Sequence, residues 1–152
     1  MDIIYSKPLD CYIEITYNTK LSSIRFIRNR EGLGEKKTLQ ASFELEQYFK
    51  GERTGFSCDF DISTLSAFTR KVLYETGRIE YGKTITYAEL ANRIGSRAVR
   101  AVGQALAKNP IPIIIPCHRV VAKNGIGGYS AGLDMKNRLL ELETKTRYAN
   151  NL

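Results

Sequence analysis

The chain has 152 residues, 43% of them hydrophobic and 26% charged. This is the composition of an ordinary folded protein, long enough for one domain or for two small ones packed together. No apolar run approaches the roughly 20 residues that span a bilayer, and the start, MDIIYSKPLD, has neither a basic segment nor a signal-length apolar stretch. A cytoplasmic setting with no membrane partner is therefore expected.

The formal net charge of +7 is unevenly spread. Residues 1–75 carry 11 Lys and Arg against 11 Asp and Glu, whereas residues 76–152 carry 12 against 5. A basic half beside a neutral one points to a polyanionic partner met on one surface, nucleic acid first among them; a solvated basic face is the plainer alternative. Cys11, Cys58 and Cys117 are odd in number and widely spaced, which argues against a disulfide framework, although a Cys11–Cys58 bridge stays open. With a single histidine and no C-x-x-C pair, the chain lacks the ligands of a zinc site, and no metal is expected.

In chain order, IIYSKP, CYIEITY and LSSIRFIR alternate with period two and are separated by PLD and NTK, the pattern of an antiparallel meander with one buried face. In the second of these, Cys11, Ile13, Ile15 and Tyr17 share one face and Tyr12, Glu14 and Thr16 the other. TLQASFELEQYFKGE predicts an amphipathic helix that turns Phe43, Leu45, Tyr48 and Phe49 toward the sheet. After GFSCDFDI the character changes. Residues 63–78 open with Ser/Thr caps and set Leu65, Phe68, Val72 and Leu73 at helical spacing, so a unit boundary is placed near residue 62.

TYAELANRIGSRAVRAVGQALAKNP then predicts two helices at a sharp angle. Thr86 and Glu89 form a capping box, Gly95 ends the first helix, and Ser96 caps the second. On that second helix Val99, Val102 and Leu106 make an apolar stripe, and Arg97, Arg100, Gln104 and Lys108 share another face. Ala98, Ala101, Gly103 and Ala105 between them are small enough for close approach of the backbone. This is a DNA-docking pattern. A helical hairpin with a wet charged face fits the same residues. The final helix is read as LDMKNRLLELE, with the tail TKTRYANNL loose.

The densest chemistry lies in NPIPIIIPCHRVVAKNGIGGYSAG, residues 109–132. Three of the four prolines stiffen the approach to Cys117 and His118, and four glycines in eight residues follow. A thiol of ordinary pKa is only a few per cent ionised at neutral pH and needs a base or a positive neighbour. His118 is adjacent in sequence, but neighbours in an extended chain point apart, so a relay needs a turn or a bridging water. Glu143 is the candidate to orient the imidazole, with Glu141 its rival. A buried structural thiol beside a satisfied core histidine is the bland reading. GIGGYSAG matches neither a dinucleotide fingerprint nor a Walker loop, and suits a loop whose backbone closes on a flat ligand. No cofactor is expected.

IPCHRVV, preceded by NP and followed by GYSAG and a leucine-rich helix, resembles the active-site region of the O6-alkylguanine-DNA alkyltransferases. The similarity runs back through RAVRAVGQALAKNP, YGKTITYAELA and FTRKVL, covering about residues 65–143. It implies a suicide repair protein that docks in the minor groove of double-stranded DNA, flips out the damaged base and takes its alkyl group on Cys117. The resemblance further implies that His118 and Glu143 hold the thiolate, that Tyr87 assists departure of the repaired guanine, and that Arg100 fills the vacated stack. Tyr129 and Ser130 would meet the base's oxygen, the carbonyls of Cys117 and Val120 its exocyclic amine, and Asn109 would be the hinge between recognition helix and active-site loop. Ala101 and Gly103 suit the minor-groove approach, with Arg97, Gln104 and Lys108 on the DNA face.

The fold expected is α+β: a small antiparallel sheet-plus-helix unit, ribonuclease-H-like, over residues 1–62, and a winged helix-turn-helix-like unit over residues 63–152, acting as a monomer. The competing reading is a DNA-binding module without chemistry, a regulator or a lesion binder. Cys117 discriminates, because the non-catalytic relatives replace that cysteine.

Overall fold

The computed structural model describes residues 1–29 and 34–150. Strands β1 (Asp2–Ser6), β2 (Cys11–Tyr17) and β3 (Leu21–Ile27) form the expected antiparallel meander in the order β1-β2-β3. Cys11, Ile13 and Ile15 alternate into the core, as period two requires. Helix α1 (Gln40–Phe49) packs on β1 through Ala41, Leu45, Tyr48 and Phe49. Phe43, expected on that buried face, is 47% exposed. It sits between the buried Ser42 and Glu44, whose polar side chains were the ones drawn inward.

That inversion has a physical cause. Glu44 accepts hydrogen bonds from the backbone N–H groups of Ser57 and Cys58 and from the Ser57 hydroxyl, tying the segment after α1 to the helix. The Ser42 hydroxyl donates to Asp2 at 2.6 Å. Asp2 also accepts the N–H groups of Thr38 and Leu39, so the helix start is capped from β1 and not by its own N-cap residue. Burial alone would raise the Asp2 pKa, but the hydrogen bonds from Ser42, Thr38 and Leu39 outweigh it and bring it down to about 2.

Helix α2 (Ala67–Thr76) starts later than expected, with Ser66 as its cap, because residues 62–65 are spent on a turn closed by the Leu65 N–H donating to the Ile62 carbonyl. Leu65 therefore precedes the helix, and Phe68, expected inside, is 38% exposed, while Val72 and Leu73 are buried. Strand β4 (Ile85–Thr86) leads into α3 (Tyr87–Arg93), capped by the Thr86 hydroxyl accepting from the Glu89 N–H as the capping box requires. Gly95 takes a left-handed φ of 70° at the sharp turn. Ser96 accepts from the Ala98 N–H but does not cap the second helix as expected: α4 runs Val99–Ala107 with Ala98 as its N-cap and no side-chain capping bond, so Ser96 and Arg97 precede it. Val102 and Leu106 are buried, but Val99, in the first turn, is 40% exposed.

A 3₁₀ turn at Cys117–Arg119 precedes β5 (Val120–Val121), which pairs in parallel with β4, and α5 runs from Leu133 to Asn150. The segment expected to be loose is thus helical through Asn150; Asn151 and Leu152 lie outside the described residues. One continuous buried cluster joins the sheet, α1 and the helical half. Backbone bonds bind the halves as well: the Ile24 N–H in β3 donates to the Pro110 carbonyl at 2.9 Å, anchoring the chain that leads to Cys117. All three cysteines are free and buried, so the Cys11–Cys58 bridge left open by sequence is not formed.

Candidate active site

The approach to Cys117 is a stack of tight turns. Asn109, just past α4, accepts the Ile111 N–H on Oδ1, the Ile115 N–H donates to the Ile111 carbonyl, and the Cys117 N–H to the Ile115 carbonyl at 2.8 Å. Within it Ile113 is held at φ 75°, a conformation that a β-branched residue adopts only when its surroundings dictate it, at a cost of about 1–3 kcal/mol. The three prolines and the burial of Ile111, Ile113 and Ile115 supply that constraint.

The 3₁₀ turn brings adjacent side chains to different partners. The Cys117 thiol accepts from Asn109 Nδ2 at 3.2 Å. His118 is fully buried, and its Nε2 lies 2.6 Å from Glu143 Oε2. Glu143 is the hub of the site. Its Oε2 also accepts from the Tyr48 hydroxyl at 2.6 Å and Arg119 Nη2 at 3.1 Å, and its Oε1 from Arg119 Nε at 2.8 Å and the Gly82 N–H at 3.2 Å. Arg119 spends its remaining Nη1 on the Ile79 carbonyl. Glu141, the rival orienter, is exposed on α5 and takes no part.

These contacts fix the charges. Burial opposes ionisation of Glu143, but His118 and Arg119 overcome it and hold the carboxyl well below the usual range. An ionised carboxylate only accepts, so Nε2 of His118 carries its proton and Nδ1 is left as the basic nitrogen. Burial lowers the His118 pKa against the pull of Glu143, with Arg119 and Lys136 acting in the same direction as burial. Burial likewise pushes the Cys117 thiol up, against hydrogen bonds from Asn109 and Tyr129 and the charge of Lys136. Burial therefore acts against a standing charge on both the thiol and the imidazole.

Beside the thiol lies an open cavity of about 400 Å³, lined by Cys117, Tyr87, Gly128, Tyr129 and Ser130 and, from α4, by Gly103, Leu106 and Ala107. Tyr87 is held over it by two bonds to Gly128, its hydroxyl donating to the carbonyl at 3.3 Å and accepting the N–H at 3.2 Å. Gly127, at φ 78°, permits this: a Cβ there would come within 2.7 Å of the Tyr87 ring. At Gly103 a Cβ would meet nothing within 4 Å, so no contact inside the protein demands glycine at that point.

The structure brings together Cys117, His118, Glu143, Asn109, Tyr87, Tyr129 and Ser130. It does not bring Val120 to the cavity; Val120 is fully buried and its carbonyl accepts from Lys136 Nζ at 2.6 Å, while the Cys117 carbonyl accepts the Val120 N–H. Arg97, Arg100, Gln104 and Lys108 are exposed on the α4 side, and Ala101 and Gly103 half-buried among them.

Sequence reasoning missed four contributors: Arg119, Tyr48, Gly82 and Lys136. Lys136 is buried, donates to the carbonyls of Val120 and Gly128, and sits 5.7 Å from the centre of the Tyr87 ring. Burial brings its pKa down to about 8. The signal available was its spacing, since Lys136 and Glu143 are seven residues apart on one helix and so share a face. Nothing in sequence marked Tyr48, whose partner is 95 residues away.

Residues 67–145 match the family described as 6-O-methylguanine DNA methyltransferase, DNA binding domain. A methylated-DNA-protein-cysteine methyltransferase of Metallosphaera sedula is 39% identical over 142 residues, covering 91% of this chain and 90% of its own. Another, from Sulfolobus acidocaldarius, is 37% identical over 141 residues, covering 84% and 90%. The crystal structure of Mycobacterium tuberculosis OGT in complex with DNA superposes with a TM-score of 0.81 at 34% identity, covering 95% of this chain and 92% of that one. With a matched domain over half its length and relatives matched nearly end to end, the chain belongs to the family of methylated-DNA-protein-cysteine methyltransferases.

Proposed function

We propose that Cys117 is the cysteine that accepts the alkyl group, and that the reaction is a stoichiometric, direct reversal of O6-alkylguanine in double-stranded DNA. The observation that carries this is the cavity: the Cys117 thiol, which accepts a hydrogen bond from Asn109, forms part of a slot whose other wall is Gly103, Leu106 and Ala107 of α4. Its volume lies within the range of small-ligand sites and suits a single base taken out of the stack.

In this reading the S–C bond forms as the C–O6 bond breaks, and the bonding pair stays on the guanine. The thiol proton passes to His118 Nδ1, through a bridging water, and the departing base is protonated by way of Tyr87, so that thiol and alkylguanine become thioether and guanine. Asn109 steadies the sulfur, Ser130 and Tyr129 face the base oxygen, and Arg119 and Glu143 orient the imidazole. The thioether is a stable product, and in this reading each molecule reacts once.

The same reading assigns residues 1–62 to a ribonuclease-H-like unit and residues 63–152 to a winged helix-turn-helix unit. In the second unit α4 enters the minor groove, Ala101 and Gly103 allow close approach, and Arg97, Gln104 and Lys108 meet the backbone while Arg100 fills the gap left by the flipped base. The protein acts as a monomer. Titrating a duplex that contains one O6-methylguanine tests the proposal: repaired DNA plateaus at one equivalent of protein, and Cys117→Ala repairs none while still binding the duplex. Repair beyond one equivalent without added reductant would refute it.

A further inference from the structure

Glu143 receives a donor from outside the helical half. Tyr48, on α1, is fully buried and its hydroxyl donates to Oε2, the same oxygen that holds His118 Nε2, each at 2.6 Å. The Tyr48 ring is locked by neighbours at 5.6 Å (Phe49 and Phe56) and 6.0 Å (Tyr81). With Arg119 Nη2 at 3.1 Å, Oε2 carries three donors that compete for the same electron density, since each bond to a charged acceptor weakens the pull left for the others.

We propose that Tyr48 is a positioning residue for alkyl transfer, by which the N-terminal sheet-and-helix unit, through Glu143, sets the basicity and orientation of His118. This inference rests on the assignment of His118 as the base for Cys117. Among the described residues, the titratable and charged groups acting on the pair are Tyr48 from α1, Tyr81 from the segment before β4, Arg119 from the 3₁₀ turn, Tyr129 from the loop before α5, and Lys136 from α5. Arg119 and the Gly82 N–H hold Oε1 and keep the carboxylate in place when the Tyr48 hydroxyl is removed. The sign follows. Without that hydroxyl more of the Glu143 charge falls on Nε2–H, and His118 becomes a stronger base.

His118 is the only histidine in the chain, so its ring signals in a nitrogen-proton NMR titration need no assignment. Tyr48→Phe keeps the ring and its packing, and is expected to raise the His118 titration by about half a pH unit, the effect of redistributing part of one charge-assisted hydrogen bond. Site-specific fluorotyrosine at position 48, a stronger donor of nearly the same shape, is expected to lower it. Tyr81→Phe removes a neighbouring buried hydroxyl that does not bond Glu143, and should leave it unmoved. The pH profile of O6-benzylguanine labelling should shift in Tyr48→Phe with the NMR titration.

An unmoved His118 in Tyr48→Phe, or equal shifts in Tyr48→Phe and Tyr81→Phe, would overturn the proposal. Because the titration is read without substrate, that failure is separate from failure of the alkyl-transfer reading, which would appear as absence of labelling on Cys117 in the wild type.

Discussion

Replacing Glu143 by glutamine removes one charge and turns one acceptor into a donor, and the structure specifies what that does. The amide oxygen can keep the Oε1 partners, Arg119 Nε and the Gly82 N–H, which leaves the amide nitrogen where Oε2 stood, facing Tyr48, Arg119 Nη2 and His118 Nε2. A donor there favours the opposite imidazole tautomer, with the proton on Nδ1, and a protonated Nδ1 cannot take the thiol proton. Loss of a positioned general base costs on the order of 10²-fold in rate or more. Stability falls too, because the Arg119 guanidinium stays buried without a counter-charge; breaking such a pair costs about 3 kcal/mol at the low end, which at ~2–4 °C per kcal/mol lowers Tm by ~6–12 °C.

The pH dependence has a definite sign. The Glu143 pKa is depressed in the folded state, so its contribution is present above the unfolded carboxylate pKa and is lost as pH falls below it. The wild type should therefore lose stability below about pH 4.5 more steeply than Glu143→Gln, which has no such group to protonate. The assays are the rate of O6-benzylguanine labelling against pH, thermal melts from acid to neutral, and the His118 nitrogen shifts, which report the tautomer. Glu141→Gln, on the exposed face of α5, is the control and should melt and react like the wild type. A Glu143→Gln protein with wild-type rate and an unchanged imidazole tautomer would refute the reasoning.

Three further outcomes are expected. Arg100→Ala should slow repair of duplex DNA by about tenfold or more while sparing reaction with free O6-benzylguanine, because only the duplex requires a base to be unstacked; equal losses would make Arg100 a fold residue. Lys136→Met should slow O6-benzylguanine labelling, since the carbonyls of Val120 and Gly128 lose their shared donor. It should also remove Lys136's own contribution to the pH dependence, which favours the folded state increasingly between about pH 8 and 10.5, where the native lysine has lost its proton and the unfolded one has not. Asp2→Ala should lower stability by about 2 kcal/mol by uncapping α1, without changing the labelling rate of the folded protein, as melts and kinetics would report.

Local chemistry was legible in the sequence where the partners are close along the chain. The period-two burial of Cys11, Ile13 and Ile15 and the capping box of Thr86 and Glu89 were read from neighbours within a few residues. The site residues Cys117, His118 and Tyr87 came from a motif, and the structure gathers them at one place. What failed to show in sequence depends on long-range partners. Phe43 is exposed because Ser42 and Glu44 are pulled inward by Asp2 and the Ser57–Cys58 backbone, and a helical periodicity cannot anticipate that. The tail continues α5 to Asn150 because Thr146 and Arg147 pack on Gly51 and Gly82, loops contributed from far upstream. The upward push on the Cys117 thiol and the downward push on His118 come from their depth of burial, which the letters PCHR do not carry.

The most direct test of the account is where the alkyl group goes. Wild-type protein incubated with an excess of duplex containing O6-methylguanine should gain the mass of one methylene and no more, and peptide mapping should put the added methyl on Cys117. Cys11 and Cys58 should stay unmodified, because burial pushes their thiols up to about 11 and about 12 and neither borders the cavity. A methyl group found on Cys11 or Cys58, or a repaired duplex with no mass added to the protein, would contradict the account.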